Sequence, residues 1–432
     1  MKKRLVLLFT ITVLFSSSYG QFLMDMIDTT KETGRGMLAV YKKFDHLRIG
    51  GYIQPQFQVV SEKGAKGFEG GDFAAKVSNR FMLRRSRVRI EYVHFGRGTE
   101  PGVQIVFQFD ANERGFTVRD VWGRIFENKW QLLSFTTGMF ARPFGYEVNL
   151  SSSDRESPER GRMSQLLMKS ERDLGAMISL DARKKKHKLH YLKIDAGFFN
   201  GQGINAAGEF DNTKDFIARV ALKPLPASKK ITLSGGVSLL SGGLAQNTKY
   251  VYSTGTVSNI KRLVVDSVAG NVDGVSPRKY YGADVQLKIK NKTGFTELRA
   301  EYVAGKQTGT ANNTETPVAL ISGTDGFHIR NFNGAYFYFL QHLFSEKYQL
   351  LLKYDWYDPN TKVSGNEIAA GTGLSAANIK YSTFGAGLVY YMRENIKLVL
   401  YYARVKNENT QLPGFTTDVK DNVFTARVQF RF

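Results

Sequence analysis

The sequence predicts an all-β fold, a transmembrane antiparallel β-barrel of sixteen strands with long extracellular loops and short periplasmic turns. Three observations predict it. Apolar and polar side chains alternate along most of the chain after residue 46, the connections between alternating segments are long and short in turn, and the chain opens with a segment typical of export. Alternation indicates β-strands, because successive side chains of a strand point to opposite faces.

The first twenty residues have the composition of a secretory signal peptide. Three cations, Lys2, Lys3 and Arg4, precede the apolar run LVLLFTITVLF, and small residues follow up to Gly20. The apolar run is too short for a spanning helix, so we expect residues 1–20 to be removed on export. Residues 21–45 show only weak helical periodicity and are interpreted as a periplasmic N-terminal segment. The predicted outer-membrane β-barrel comprises residues 46–432.

Alternation is clearest in the last nine residues, FTARVQFRF, where apolar side chains occupy even positions and polar or cationic ones odd positions. Segments of this kind predict strands of about ten residues, the length that crosses a bilayer when tilted. The predicted strands lie near 46–60, 80–95, 102–110, 117–126, 131–142, 173–182, 187–199, 215–223, 230–240, 279–289, 294–304, 332–343, 347–357, 380–392, 395–405 and 422–432.

The predicted connections differ between the two ends of the strands. Odd-numbered ones are long and polar, with only 111–116 short, whereas even-numbered ones are mostly tight turns such as NKTG, SEK and RE. This asymmetry is typical of an outer-membrane barrel, and many strands end in aromatic residues, as its interfacial girdles require. A soluble β-sandwich or barrel would not show the asymmetry. We also expect no apolar side chains to remain for an interior, so the apolar face is assigned to lipid.

Charge and composition restrict the function classes. The formal net charge is +21, which implies anionic partners, and export argues against nucleic acid among them. The chain has no cysteine, and His187 and His190 have no third ligand nearby, so we expect no metal site and no cofactor. The stretch GQGINAAG resembles a dinucleotide loop but precedes no predicted helix. No catalytic constellation is apparent, and the protein is not expected to be an enzyme.

The stretch RRSRVRIEY contains the most distinctive cations of the sequence. Arg85, Arg87 and Arg89 fall on one face of a predicted strand, and no carboxylate is interleaved with them. A cation facing lipid at the bilayer midplane costs about 2–4 kcal/mol, so this row is predicted to face the lumen. Sixteen strands enclose an aqueous channel rather than a packed interior.

Other cations share the predicted inward face. Among them are Arg219, Arg299, Lys353 and Arg427. Carboxylates lie on the same surface, so the alternative is a mixed lumen in which neighbouring charges neutralise one another. The carboxylates are Glu91, Asp110, Asp120, Asp284, Glu297, Glu301 and Asp355.

The third long connection, near 143–172, is predicted to fold inward. It reads PFGYEVNLSSSDRESPERGRMSQLLMKSER and carries five cations and five carboxylates, so it supplies no net charge. Its arginines can still present anion sites, because a guanidinium offers paired donors to phosphate oxygens. Arg155, Arg160 and Arg162 are the candidates. The alternative is an ordinary loop held by salt bridges.

Five stretches, RFMLRRSRVRIEY, FQFDANERGFTVRDVWGRI, TTGMFARPFGYE, SSSDRESPERGR and ERDLGAMI, resemble the phosphate-selective porin O and P family. The resemblance extends from Leu47 to Phe432 and is most specific from Arg80 to Ile178. It implies a homotrimer of sixteen-stranded channels, embedded in outer-membrane lipid of a Gram-negative bacterium, with an inward third loop. The terminal FTARVQFRF, which ends at Phe432, resembles the signal read by the barrel-assembly machinery.

The resemblance implies passive transport of small anions such as phosphate or polyphosphate. Arg85, Arg87 and Arg89 would then form a ladder of anion sites in an ion channel, with further cations at the loop. Together with the inward cations, the expected anion-binding residues are Arg85, Arg87, Arg89, Arg155, Arg160, Arg162, Arg219, Arg299, Lys353 and Arg427. One alternative is a general non-selective porin for small hydrophilic solutes, and another is a secreted soluble β-protein that binds acidic polymers.

Overall fold

The computed structural model describes residues 46–95, 100–321 and 323–432, so the predicted signal peptide and periplasmic segment lie outside the described residues. Among the described residues, no helix is long and apolar enough to cross a membrane. The elements are β1 (Leu47–Val60), β2 (Asn79–Phe95), β3 (Pro101–Asn112), β4 (Gly115–Phe126), β5 (Leu133–Ala141), α1 (Arg162–Leu167), β6 (Arg172–Asp181), β7 (Leu192–Phe199), β8 (Asp215–Pro226), β9 (Ile231–Ala245), β10 (Val251–Val257), β11 (Ile260–Asp266), β12 (Val275–Asn291), β13 (Gly294–Gly309), β14 (Phe327–His342), β15 (Tyr348–Asp358), β16 (Tyr381–Arg393), β17 (Ile396–Asn407) and β18 (Val423–Arg431), with short 3-10 turns at Ala269–Asn271, Gly365–Glu367 and Ala376–Asn378.

Sixteen of these strands close into one antiparallel barrel. Each strand from β1 to β9 and from β12 to β18 pairs with the next, β9 pairs with β12, and β18 pairs with β1. Strands β10 and β11 form a hairpin within the connection between β9 and β12, outside the ring. The hairpin is anchored by a short parallel pairing of Val251–Ser253 with Phe327–Ile329 of β14. The predicted sixteen-stranded barrel is confirmed.

The sixteen barrel strands match the sixteen predicted ones, with differences at their ends. Strand β7 begins at Leu192 rather than near residue 187, so His187 and His190 lie in a turn. Strands β12 to β14 extend beyond their predicted ends into the long connections. The hairpin β10–β11 was not predicted, because its strands of seven residues lie within a polar connection.

The two rims of the barrel differ as predicted. We call the end that carries the connections 61–78, 142–171, 200–214 and 246–274 the long-loop rim. The opposite end, the short-turn rim, carries turns such as the two residues between β12 and β13 and between β16 and β17. Odd-numbered connections are long except between β3 and β4, where a tight turn pairs Asn112 with Gly115.

The outer face of the barrel is apolar. In β17, Leu400 and Tyr402 are exposed, whereas Val399, Tyr401 and Ala403 between and beside them are buried. The same alternation exposes Val285 of β12, Phe337 of β14 and Phe384 of β16. A band of exposed aliphatic and aromatic side chains is the surface that contact with hydrocarbon requires.

The interior contains a hydrophobic core, so the expectation that no apolar side chains remain for an interior was wrong. Met163, Leu166, Leu167 and Met168, in and beside α1, belong to one buried cluster with wall residues of several strands. Strands β14 to β17 supply much of that wall, because their inward faces also carry apolar residues. Their inward members of the cluster are Tyr336, Tyr338, Leu340, Leu351, Val389, Val399 and Tyr401. Burying each such side chain contributes roughly 1.5–3 kcal/mol, which stabilises α1 inside the barrel.

Candidate functional site

The connection between β5 and β6, residues 142–171, lies inside the lumen, and we call it the inner loop. Several strands hold it. Gln54 of β1 donates to the Ser152 carbonyl at 2.9 Å and Lys397 of β17 donates to the Ser153 carbonyl at 2.8 Å. The Glu301 carboxylate of β13 accepts from the backbone N–H of Tyr146 at 3.2 Å. The inner loop therefore spans the lumen rather than resting on one strand.

Close approach of the inner loop to β13 requires a glycine. Gly145 has φ of +70°, and a Cβ at this position would collide with the Glu301 carboxylate. Its backbone N–H donates to Ser238 Oγ of β9 at 3.0 Å. Because glycine adopts positive φ without strain and leaves room for the carboxylate, the loop reaches the wall at this point.

Glu159 of the inner loop is shared by three arginines of the barrel wall. Its carboxylate lies 2.9 Å from Arg84 Nε, 2.7 Å from Arg85 Nη2 and 2.8 Å from Arg427 Nη2. Burial would raise the pKa of Glu159, but Arg84, Arg85 and Arg427 outweigh burial and hold the pKa well below its usual range. Glu159 is therefore ionised and neutralises part of the charge of these arginines.

The arginine row of β2 is divided between two environments. Arg87 Nε lies 2.9 Å from Asp110 Oδ2 of β3, and its Nη1 donates to Ser152 Oγ at 3.0 Å. Arg89 lies 3.3 Å from Glu91 and keeps 38% of its side chain exposed, against 11% for Arg85. The sequence shows no carboxylate within the row, but folding brings carboxylates to each of its members. They come from the inner loop, the neighbouring strand and the same strand.

Lys353 of β15 and Arg155 of the inner loop are both buried. Lys353 Nζ lies 3.3 Å from Glu147 Oε1, and Tyr338 Oη donates to the same oxygen at 2.8 Å. Burial opposes ionisation of Glu147, but Lys353 and Ser164 lower its pKa below the usual value. Arg155 donates to the carbonyls of Ser157 and Pro158 within its own loop. Both cations therefore hold the inner loop in place.

Two further predicted cations form bidentate ion pairs. Arg299 of β13 binds Glu156 of the inner loop through Nη1 and Nη2 at 2.7 and 3.0 Å. Arg219 of β8 binds Asp284 of β12 at 2.6 and 3.0 Å. Paired donors on one carboxylate are strong, charge-assisted hydrogen bonds, so these guanidiniums are largely satisfied.

The remaining predicted loop cations have different partners. Arg160 pairs with Glu171 and donates through Nε to the Glu147 carbonyl at 3.0 Å. The Arg162 guanidinium lies over the Tyr381 ring at 3.5 Å and near the Phe68 ring at 4.6 Å. All ten predicted cations thus lie on the lumen wall or the inner loop, but the structure distributes them among several clusters rather than along one ladder.

Several cations of the lumen were not among the predicted residues, and Arg119, Arg84 and Lys397 show why. Arg119 is the extra residue of a β-bulge, because Gln108 pairs with Asp120 while Phe109 pairs with Val118. The bulge breaks alternation, so Arg119 and Asp120 both reach charged partners inside the barrel. Arg84, which strict alternation from Arg85 places outside, reaches Glu159, and Lys397 binds two inner-loop carbonyls. Lys397 lies two residues before the inward-facing Val399 of β17, and this shared parity could have identified Lys397 as inward from the sequence.

Two cavities flank the inner loop along β2 to β8. The upper cavity, about 960 Å³, lies toward the long-loop rim, and the lower cavity, about 410 Å³, lies toward the short-turn rim. The upper cavity is lined by eight cations, Arg80, Arg84, Arg85, Arg87, Arg114, Arg119, Arg160 and Lys169, and by six carboxylates, Asp72, Asp110, Glu113, Glu159, Glu171 and Glu315. The lower cavity is lined by five cations, Arg89, Arg124, Arg172, Lys193 and Arg219, and by two carboxylates, Asp120 and Asp195.

One ion-pair cluster lies between the two cavities. Arg119 and Glu171 line the upper cavity and pair with each other, while Arg172 and Asp120 line the lower cavity and lie 3.3 Å apart. Arg172 also lies 3.5 Å from Glu171, which joins the two pairs. The arrangement places alternating charges at the boundary and an excess of cations on both sides of it.

Comparison with known proteins shows a likeness of fold. No family model matches the chain, and no curated protein matches it. Solved structures do match: the outer membrane channel DcaP of Acinetobacter baumannii, at 13% identity, covers 89% of this chain and 97% of its own, with a TM-score of 0.52. Pseudomonas putida OprB, at 8% identity, covers 93% and 97%, with a TM-score of 0.56. Salmonella typhi OmpF, at 12% identity, covers 89% and 97%, with a TM-score of 0.50. The chain thus has the closed sixteen-stranded antiparallel barrel of outer-membrane porins.

Proposed function

We propose that the protein is a porin of the Gram-negative outer membrane, through which small anions diffuse passively. The observation that carries the proposal is the charge of the lumen beside the inner loop, where five cations and two carboxylates line the lower cavity. The fold supports it, since one protein that shares the fold is an outer membrane channel. As an outer-membrane porin, the protein would have its short turns facing the periplasm and its long loops facing outward.

The proposed route follows β2 to β8 and avoids the packed side of the lumen. An anion entering from the long-loop rim meets the upper cavity, passes the cluster of Arg119, Glu171 and Arg172, and reaches the lower cavity. Fixed cations raise the local concentration of anions, and several weak sites in series allow passage without trapping. The cations bound to Glu159 and Glu147 serve chiefly to hold the inner loop.

Phosphate is a candidate substrate within this proposal, because arginine offers paired donors to its oxygens. Assembly as a homotrimer and recognition of the C-terminal Phe432 by the barrel-assembly machinery belong to the same proposal.

A general porin with little ion selectivity is the second candidate. The upper cavity favours it, because six carboxylates offset most of the charge of its eight cations. A channel whose permeability is set at that level would discriminate weakly between anions and cations. The two candidates therefore differ in which cavity governs selectivity.

Reversal potentials in a planar bilayer test the proposal. The purified protein is placed between unequal potassium chloride solutions, and the anion-over-cation permeability ratio is measured, then repeated with potassium phosphate. We expect a ratio above one. A ratio of one would favour the general porin, and a protein that stays soluble and monomeric in buffer without detergent would favour the secreted polymer-binding protein.

A further inference from the structure

Two guanidiniums lie over the ring of Trp122, a residue of β4, inside the lower cavity. The Arg89 and Arg124 guanidinium carbons lie over its ring at 5.7 and 5.0 Å from the centroid. Trp122 is itself buried, and all three residues line the cavity. Stacking on an indole ring restrains a guanidinium without neutralising its charge. The Trp122 ring therefore positions both guanidiniums, with the Glu91 carboxylate beside Arg89.

The positive charge of this pair is only weakly compensated. Arg124 Nε donates to Thr136 Oγ1 at 2.8 Å, and within the described part of the chain no carboxylate oxygen lies within 4.0 Å of its guanidinium. The pair of Arg89 with Glu91 spans 3.3 Å and is partly exposed, so solvent screens it. Glu91 also accepts a hydrogen bond from Gln104 at 2.7 Å. Donors of Arg89 and Arg124 thus remain for a ligand.

The other cations of the lower cavity have carboxylate partners. Lys193 Nζ lies 3.0 Å from Asp195, Arg219 binds Asp284, and Arg172 binds Asp120. The excess charge of the cavity is therefore concentrated on the side of Arg89 and Arg124. An anion in the cavity would find its strongest attraction there.

Apart from Asn149 and Tyr146, the rest of the lining is apolar. Phe140 and Met177 are buried members of the wall, and Pro143, Leu150 and Ala221 also line the cavity. A cavity of about 410 Å³ holds a small organic molecule. Inorganic phosphate and chloride gain nothing from aliphatic and aromatic walls, whereas a carbon skeleton does.

We infer that the lower cavity is a binding site for small organic carboxylates. Arg124 and Arg89 bind the carboxylate, and the carbon skeleton lies against Phe140 and Met177. The inference rests on the proposed channel function and names the substrate class of that channel. Under this inference Arg124 is a specificity-determining residue. Sequence alternation did not reveal it, because β4 alternates poorly.

Block of chloride current by benzoate tests the inference, with acetate as the probe that lacks the ring. The detergent-purified full-length protein is inserted in a planar bilayer, and each anion is added to either side. We expect benzoate to block at concentrations at least tenfold lower than acetate, and more readily from the side of the short-turn rim. Arg124→Gln should weaken the benzoate block about tenfold or more, because a charge-assisted hydrogen bond is lost.

Arg183→Gln is the matched control. Arg183 also lies over an aromatic ring, that of Phe126 at 5.2 Å, but it lines neither cavity. Its replacement should leave the benzoate block unchanged. Arg89→Gln, at a partly exposed position, provides a second variant if Arg124→Gln does not fold, and it should also weaken the block.

Equal block by benzoate and acetate would overturn the inference, as would a benzoate block that survives both Arg124→Gln and Arg89→Gln in folded channels. A different result would reject the proposed function. A chloride reversal potential without anion preference, together with an Arg124-dependent benzoate block, would reject the anion-preferring porin while leaving the carboxylate site in place.

Discussion

The Glu159 carboxylate accepts a hydrogen bond from Arg427 Nη2 at 2.8 Å, although the two residues lie 268 positions apart. Arg427 belongs to β18, the strand that closes the barrel on β1, and Glu159 belongs to the inner loop. One ion pair thus couples closure of the barrel to the position of the loop that divides its lumen. Because Arg84 and Arg85 of β2 bind the same carboxylate, Glu159 joins β2 to the last strand, β18.

Replacement of Glu159 should destabilise the protein strongly. Glu159→Gln leaves Arg84, Arg85 and Arg427 without their common counter-ion, and removing one partner of a buried ion pair costs about 3–5 kcal/mol. We expect a lower temperature for the heat-induced mobility shift in gel electrophoresis and noisier single-channel current. Asp154→Asn is the control, since Asp154 pairs with Arg431 of the same strand but both side chains are about half exposed. It should change the transition little.

Neighbouring residues of β8 should respond oppositely to a new cation. Val220 is exposed on the outer face near mid-height, whereas Ala221 lines the lower cavity. Val220→Arg should cost about 2–4 kcal/mol or prevent assembly, because it places a cation against hydrocarbon. Ala221→Arg should assemble and increase anion preference. Heat-modifiable migration measures the first effect and reversal potential the second, and equal tolerance at both positions would contradict the lipid-facing assignment.

Two arginines of the same row should differ in what they control. Arg85→Gln removes a buried partner of Glu159 and should lower thermal stability with little change in selectivity. Arg89→Gln removes a partly exposed cation from the lower cavity and should reduce anion-over-cation permeability with little change in stability. The pair of measurements is the reversal potential and the heat-modification temperature. If Arg85→Gln by itself shifts the reversal potential, the predicted ladder of anion sites along β2 is supported instead.

Docking of the first long loop should depend on pH. Burial raises the pKa of Glu69 in this loop to about 7, although Lys353 acts against the rise. A raised pKa means that the docked loop favours protonated Glu69, so this stabilisation is full below about pH 4.5 and is lost as pH rises through 7. The difference is at most roughly 3 kcal/mol. Hydrogen exchange of residues 61–78, corrected for intrinsic rates, should show less protection at pH 8 than at pH 5.5.

Glu69→Gln is the variant that tests the assignment of this pH dependence. An amide cannot ionise, so protection of the first loop should be high at both pH values. The backbone carbonyl of residue 69 accepts from Gln58 at 2.7 Å, and this contact is retained in the variant. If the pH dependence persists in Glu69→Gln, another group is responsible for it.

The sequence by itself determined the barrel. Period-two alternation located sixteen strands, and the contrast between long and short connections identified the two rims, because a strand that separates lipid from a lumen must alternate along its length. Where alternation held, as for Arg87, Arg219 and Arg427, the inward side of each cation followed directly. Alternation does not report a bulge, so Arg119 was missed. It also placed Arg84 on the wrong face, because the Arg84 guanidinium reaches Glu159 of the inner loop.

The partner of each cation was decided only by the tertiary structure. Arg85, Arg299 and Lys353 are bound by carboxylates of the inner loop that lie more than seventy residues away along the chain. Their pairing depends on the path of a loop that has no periodic pattern, and on an apolar wall that strands β14 to β17 present to α1. Local sequence fixes which face a side chain takes, but long-range packing fixes which opposite charge it meets, and hence which cations remain open in the lumen.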